Sequence, residues 1–456
     1  MAATKIACVG AGSRYYRRAL PDLLVTEDLA ESEIVLYDLD GERAARMRAR
    51  AARLAEDAGT GMTVRAVATL DEALEGADFV LASIGGSGTE PTAGVHQSPI
   101  HRADRFIPAK YGIYQLTGDT GGPAALMMGL RSVPAFLEVC AAMERRCPGA
   151  VLFNHANPMS VICRAVRKYT AVQVVGICHG VQEGIAFVAK LLDVPPEELS
   201  CTWVGTNHYY WFTAIRLRGE DVYDRVRAAM QARAGDRQRL AADLSRIHGF
   251  QTVYPEDNHI LEFYPFLAQV DTYPDRGNAP YWTLRRIDEM HADYFPEGPV
   301  AAFPADARER MLAAFQETLD QMALPEARTF EGENTGLALG AMATGKRHVF
   351  VANLANQGAV PNLPLDAEVE VEAVTTWRGA RPVTMGPAPR ALKGILEKRF
   401  AWQELVADAA AKGDRAAALQ ALILDEMAIW PDRAQEMLDE LLEASRPYLP
   451  RFFETG

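Results

Sequence analysis

The chain has 456 residues, 49% of them hydrophobic, and a formal net charge of −13 at neutral pH. That length exceeds what one core usually organises, so two domains are expected, and the acidic balance argues against nucleic acid or an anionic membrane as the main partner. The start shows no signal-peptide layout, no apolar run reaches transmembrane length, and the six cysteines (8, 140, 147, 163, 178 and 201) lack CxxC or disulfide-framework spacing, which together predict a reduced, cytoplasmic enzyme.

Residues 6–9 read as a short buried strand, followed by the turn Gly10-Ala11-Gly12-Ser13 and a helix through Leu20, Leu23 and Leu24. A second strand over 34–37 ends in Asp38. Residues 42–57 predict an Ala/Arg-rich helix, 63–66 a strand and 71–77 a helix. The strand at 79–84 opens into Gly85-Gly86-Ser87-Gly88, and two more buried strands follow at 151–153 and 172–177. This βαβ alternation predicts a Rossmann-like, doubly wound parallel sheet of the lactate/malate dehydrogenase type, with ligands at the strand C-terminal ends. Beyond residue 200 the texture changes to α+β and helix-rich. Helices are expected at 222–248 and 305–323, a strand with one solvated face at 368–372, and nearly all helix from 390 onward. The division expected is 1–200 for the nucleotide unit and 201–456 for substrate, metal and oligomerisation.

Gly10-x-Gly12 after a strand lets the backbone approach a pyrophosphate at a helix N-terminus. Tyr15 stands in the slot of the third fingerprint glycine. Asp38 at the end of the second strand is placed to accept from a ribose 2′-hydroxyl, which favours NAD over NADP. The alternative for Asp38 is a cap on the helix beginning near Gly41. Ser13 and Gly85 complete the cofactor-binding set, with Gly10, Gly12 and Asp38.

Further on, polar residues gather after the strands. Asn154-His155-Ala156-Asn157-Pro158 marks a turn at a ligand-facing edge. Cys178, in Gly176-Ile177-Cys178-His179-Gly180, and His208, closing Gly205-Thr206-Asn207-His208, offer a thiolate and an imidazole to a transition metal. Two protein ligands leave positions open for substrate. Asp119 is the one acid in the loop Thr117–Pro123, where a plain turn is the default reading. Tyr254-Pro255-Glu256-Asp257-Asn258-His259 is a polar cluster whose alternative is an ordinary surface turn.

Taken together these residues resemble glycoside hydrolase family 4, the NAD- and metal-dependent glycosidases. The resemblance runs through Gly10-Ala11-Gly12-Ser13, Gly118-Asp119-Thr120, Ala156-Asn157-Pro158, Cys178-His179-Gly180, Asn207-His208, Val360–Pro364 and Gly413–Leu419. It implies oxidation of the sugar 3-hydroxyl by NAD+, loss of the acidified C2 proton, elimination at C1, water addition and return of the hydride. A divalent metal, Mn2+ first, then acts as Lewis acid on the 2- and 3-oxygens. By motif Cys178 and His208 carry over as metal ligands and Asn157 and Asp119 as substrate contacts. Asp257, then Tyr254, is expected as the base, and His179, where some relatives have Asp, as a leaving-group or hydroxyl contact. The Cys-His-Gly and Gly-Asp-Thr forms resemble branches acting on unphosphorylated α-glycosides, and the run at 257–263 leans toward uronates, with Arg14, Arg285 or Arg286 as candidate partners for an anionic C6. Relatives of this kind imply a homodimer or homotetramer. Two rivals remain at this point: an NAD-dependent 2-hydroxyacid dehydrogenase and a non-catalytic NAD-binding module.

Overall fold

A computed structural model describes residues 4–88, 90, 98–115, 117–252, 257–264, 267, 269, 275–287, 305–425, 427 and 429–454. The first six strands are β1 (Lys5–Val9), β2 (Glu33–Tyr37), β3 (Thr63–Ala66), β4 (Phe79–Ala82), β5 (Val151–Asn154) and β6 (Gln173–Gly176). They run parallel in the order β3-β2-β1-β4-β5-β6. That order reverses between β1 and β4, the switch point at which doubly wound sheets bind ligands. Both sheet faces are covered, which is why these strands read as continuous apolar runs. Along β1, Ile6 and Cys8 pack with the helices Tyr16–Leu24, Gly41–Ala58 and Thr335–Thr344. Ala7 and Val9 pack on the other side with Gly122–Arg146, Met159–Tyr169 and Arg390–Lys412.

A hairpin follows, β7 (Leu199–Thr206) with β8 (Tyr209–Leu217), extended by β9 (Glu220–Asp221) and β10 (Gln251–Thr252) into a small antiparallel sheet. The chain then returns to the large sheet. β11 (Val349–Ala355) pairs antiparallel with β6, followed outward by β12 (Glu368–Thr376) and β13 (Gly379–Pro382). Strands from beyond residue 200 therefore complete the sheet begun before it. The single helix expected over 222–248 is two, Tyr223–Arg233 and Arg239–His248, interrupted at Gly235.

Two expectations are corrected. The strand at 368–372 has no solvated carboxylate face at its start, because Glu368 and Glu370 are 1% and 0% exposed. Glu368 is neutralised by Arg167, whose Nε lies 3.0 Å from Oε2, and Glu370 is turned under the small sheet. The helix Gly122–Arg146 is long and apolar enough by length and composition to cross a membrane, yet 72% of its apolar window is buried inside the protein.

That helix carries a buried ion pair. Arg131 Nη1 donates to Asp104 Oδ1 at 3.0 Å and to Ser445 Oγ at 3.0 Å, tying Gly122–Arg146 to Pro99–Ala109 and to the segment after Pro431–Ala444. Burial works to raise the Asp104 carboxyl, but the Arg131 guanidinium and His101 outweigh it and hold it below its usual value. Asp104→Asn is expected to cost about 3–5 kcal/mol, since it leaves a buried guanidinium without its charge partner. The native pair contributes fully above the unfolded aspartate range near ~3.9 and its contribution is lost as pH falls through the lower folded value. Urea unfolding of both proteins between neutral and acidic pH measures the effect: the two curves should converge at low pH.

Candidate active site

Gly10 has φ +79°, and a Cβ there would lie 2.3 Å from the Ser83 carbonyl oxygen, so the turn after β1 requires glycine. The Gly12 N–H donates to Asp38 Oδ2 at 2.7 Å and the Asp40 N–H to Oδ1 at 2.8 Å. Asp38 thus braces the turn against the end of β2 while keeping acceptor sites on both oxygens. It is not the helix cap: Asp40 is, accepting from the Glu42 and Arg43 N–H groups. A cavity of about 720 Å3 is lined by Gly10, Gly12, Ser13, Asp38 and Gly85, and also by Asp119 and Asn157. Its size is that of a small-molecule site.

Across from this turn, four metal-type ligands converge. Ligand atoms of Asp119, His208 and His259 all lie within 4.8 Å of one another, and Cys178 Sγ is 3.5 Å from His208 Nε2. Cys178 follows β6; His208 sits in the two-residue connection between β7 and β8 with φ +62°. The Thr120 hydroxyl donates to Asp119 Oδ1 at 2.7 Å, and its oxygen lies 2.8 Å from His208 Nδ1. With that hydroxyl proton committed, Thr120 accepts from Nδ1–H. This hydrogen-bond pattern assigns the tautomer in which Nε2 carries the lone pair facing Cys178. Asn157 Nδ2 donates to Asp119 Oδ2 at 2.9 Å.

The support beneath is a set of buried carboxylates. Glu262 Oε2 accepts from the Asp119, Thr120 and Gly121 N–H groups at 3.1, 2.9 and 3.2 Å, and Oε1 is 3.5 Å from His259 Nδ1. One side chain therefore fixes the Asp119 loop and sets a carboxylate beside an imidazole. Burial and the nearby Asp119 charge hold its carboxyl above the usual range. Glu370 accepts from Asn353 Nδ2 at 3.0 Å and Asn207 Nδ2 at 3.4 Å, and burial pushes it up to about 7. Burial, then the Glu370 charge, pushes the Cys178 thiol up, while burial brings His208 down to about 4.

These donors fit a divalent transition metal. His208 is neutral at physiological pH, as a ligand must be, and a cation would offset the carboxylates and deprotonate the thiol. Among the described residues, Glu370 Oε2 and Asn207 Oδ1 are buried without a hydrogen-bond partner, which marks the same spot as underpartnered. Thr120, bonded to His208 Nδ1, would fix that imidazole for a cation at Nε2.

Beside this cluster runs a second polar line. His179 Nδ1 is 3.2 Å from Glu333 Oε1 and its Nε2 is 3.2 Å from Glu183 Oε1. His155 Nδ1 is 3.4 Å from Glu333 Oε2, and its Nε2 is 2.9 Å from the Tyr15 hydroxyl. The two neighbouring carboxylates outweigh burial and bring His179 up to about 10.

The structure gathers Cys178, His208, Asp119, Asn157 and His179, with the glycine turn and Asp38 close by. Asp257 opens the short helix Asp257–Ile260, but its side chain, like all of Tyr254, lies outside the described residues. Arg14 is exposed, lines the nucleotide cavity and also a second cavity shared with His179, and makes no ion pair among the described residues. Arg285 is instead engaged with Asp236 and the Ala279 carbonyl, and neither it nor Arg286 lines those cavities. The loop 117–123 is no plain turn, since it carries Asp119 and Thr120 into the ligand cluster. Sequence reasoning missed Thr120, Glu262, Glu333 and Glu370, and named His259 only as part of a polar cluster. The one local signal was the i,i+3 spacing of His259 and Glu262.

Comparison with known proteins completes the picture. The chain matches the family model "Family 4 glycosyl hydrolase" over residues 5–194 and its C-terminal domain model over 203–428. It is 28% identical to an alpha-galactosidase of Rhizobium meliloti (99% of this chain, 90% of that protein) and 29% identical to an alpha-galacturonidase of Bacillus subtilis (96% and 97%). A crystal structure of a 6-phospho-alpha-glucosidase from gut microorganisms in complex with NAD and Mn2+ shares the fold, with a TM-score of 0.74 at 22% identity over 98% of this chain and 99% of that one.

The protonation pattern sets the pH dependence of metal binding. The Cys178 thiol is raised and His208 lowered, so around neutral pH binding must expel a proton from sulfur but none from the imidazole. Mn2+ affinity, followed by electron paramagnetic resonance, is expected to rise about tenfold per pH unit from pH 6 to 8. Cys178→Ser should flatten that slope. Thr120→Val, which removes the hydroxyl that fixes the His208 tautomer, should weaken Mn2+ binding by roughly 10–100-fold at any one pH.

Proposed function

The chain belongs to the family 4 glycosyl hydrolases, and from that premise we propose that it hydrolyses an unphosphorylated α-linked glycoside using NAD+ and a divalent cation, Mn2+ first. The observation that carries this reading is the Asn157–Asp119 pair. Both residues line the nucleotide cavity, and Asp119 also stands among the metal-type ligands, so a sugar at that point meets both cofactors. When bound, NAD+ supplies a hydride acceptor and the cation a Lewis acid that favours loss of the sugar's C2 proton.

The chain's own groups do the positioning and the proton work. His208 Nε2 and Cys178 Sγ, 3.5 Å apart, would hold the cation that takes the sugar's oxygens, with His208 held by Thr120. Asn157 fixes a hydroxyl through the amide it already directs at Asp119. Asp257, or next Tyr254, takes the C2 proton. His179, bracketed by two carboxylates and partly open to the second cavity, stands on the leaving-group side and returns a proton to the departing oxygen. Elimination followed by water addition then needs no nucleophilic carboxylate.

Relatives named alpha-galactosidase and alpha-galacturonidase favour an unphosphorylated substrate, while one named probable 6-phospho-beta-glucosidase, at 28% identity, stands on the other side. Arg14 favours the uronate form: an exposed guanidinium without an ion pair among the described residues suits a C6 carboxylate. The reading includes a homodimer or homotetramer in the cytoplasm, in keeping with six cysteines that are all unpaired.

The test is turnover of aryl α-glycosides, α-galacturonides included, with NAD+, Mn2+ and a thiol reductant in D2O. Deuterium at C2 of the released sugar is expected, and Cys178→Ser should lose roughly 100-fold or more of the rate. Full turnover by Cys178→Ser after chelation would overturn the assignment.

A further inference from the structure

Glu333 has no part in the roles assigned above, yet it joins two of the surrounding imidazoles. Its two oxygens divide between two imidazoles: Oε1 is 3.2 Å from His179 Nδ1 and Oε2 is 3.4 Å from His155 Nδ1. The His155 side chain is wholly buried and stacks on Tyr15 with ring centroids 4.0 Å apart. Tyr15 stands three residues after Gly12, so the line runs from the nucleotide turn through His155 and Glu333 to the residue following Cys178. His179 ends it, with Glu183 on its other nitrogen.

The segment that carries Glu333 is mounted with care. Arg328 Nε donates to Asp22 Oδ1 at 2.7 Å, and the Gly336 N–H to Asp22 Oδ2 at 2.6 Å. A Cβ at Gly336 would lie 2.8 Å from the Asp22 carbonyl oxygen, so backbone and helix are in direct contact there. Asn334, at φ +47°, closes the turn with bonds to the Thr329 and Gly332 carbonyls at 3.1 and 3.2 Å. Glu333 is thereby clamped to the helix Tyr16–Leu24, which begins beside the nucleotide turn. It emerges at a cavity of about 1160 Å3 that Arg14, His179 and Glu183 also line. Without Glu333, His179 would keep only Glu183, one turn along its own helix, and its ring would be free to swing.

We propose that Glu333 is a positioning residue: it holds the His179 ring in place at the cavity of about 1160 Å3 and couples that placement to the nucleotide turn through His155 and Tyr15. The proposal rests on the glycosidase reading for what His179 does, but not for how His179 is held. It is a role for a residue outside the metal and nucleotide sets, and it explains why Tyr15 occupies a glycine's slot: the ring provides the stacking partner for His155.

The test uses Glu333→Gln, Glu333→Asp and, as a remote variant, Asp22→Asn, in the full chain with NAD+ and Mn2+. If Glu333 positions His179, Glu333→Gln should lower kcat on glycosides with poor leaving groups by about 10–100-fold, and on nitrophenyl glycosides by about threefold or less. Mn2+ affinity should stay within about twofold while the Kd for NAD+, read by fluorescence titration, rises about three- to tenfold. Glu333→Asp should recover part of the loss, and Asp22→Asn should shift NAD+ affinity in the same direction. A Glu333→Gln protein with a lower melting temperature but unchanged leaving-group dependence and unchanged NAD+ affinity would overturn the proposal. Absence of turnover by the parent protein would sink the glycosidase reading alone, because the NAD+ titrations of the three variants would still decide the coupling.

Discussion

The antiparallel docking of β11 on β6, with Asn353 opposite Gly176, is the joint on which the site depends. Six parallel strands would leave β6 as an open edge just where Cys178 emerges. β11 covers that edge and brings β12 with it. Asn353 then reaches Glu370 on β12, Glu370 reaches Asn207 at the hairpin, and the Glu370 carbonyl accepts from Trp203 Nε1 at 2.8 Å on β7. Glu370 on β12 thereby bonds the large sheet to the small one. The hairpin tip that bears His208 is suspended over Cys178 as a result, although the two residues come from different sheets.

Charge follows the same scheme. Glu262, Glu333 and Glu370 approach one small volume from three directions, and each is partnered by backbone amides, imidazoles or carboxamides rather than by lysine or arginine. Elsewhere the protein pairs buried acids with guanidinium groups, as at Asp104 with Arg131 and Asp425 with Arg399. The difference is physical. A fixed guanidinium would neutralise its acid permanently, whereas the carboxamides at Glu370 and the backbone amides at Glu262 carry no charge, and a mobile cation can supply it.

The sequence was most legible where chemistry coincides with a strand end. Cys178 after β6, Asn157 after β5 and the glycine turn after β1 could be found because a short apolar run followed by polar residues is a local pattern. The supporting residues obey no local pattern. Glu262 meets the Asp119 loop across 143 residues, and Glu333 meets His179 across 154. Glu370 was misread for a clear reason: alternating Glu and Val is the pattern of a strand with one wet face, and only the small sheet packed against β12 removes the water. Tyr15 was legible as a missing glycine but not as a stacking surface, since His155 lies 140 residues on. The division near residue 200 marks a change of texture, while β11–β13 show that texture and packing need not share a boundary.

His208 illustrates a different kind of constraint. It is one of few non-glycine residues here with φ in the left-handed region, at +62° in a two-residue hairpin connection. That conformation strains a side chain with a Cβ by about 1 kcal/mol. Asparagine or glycine would relax it and leave the strand pairing of β7 and β8 untouched, but would take away an imidazole from the ligand cluster. Heat resistance and chemistry therefore pull in opposite directions at this one position. A variant library screened only for thermal survival would tend to enrich hairpins that fold better and do nothing.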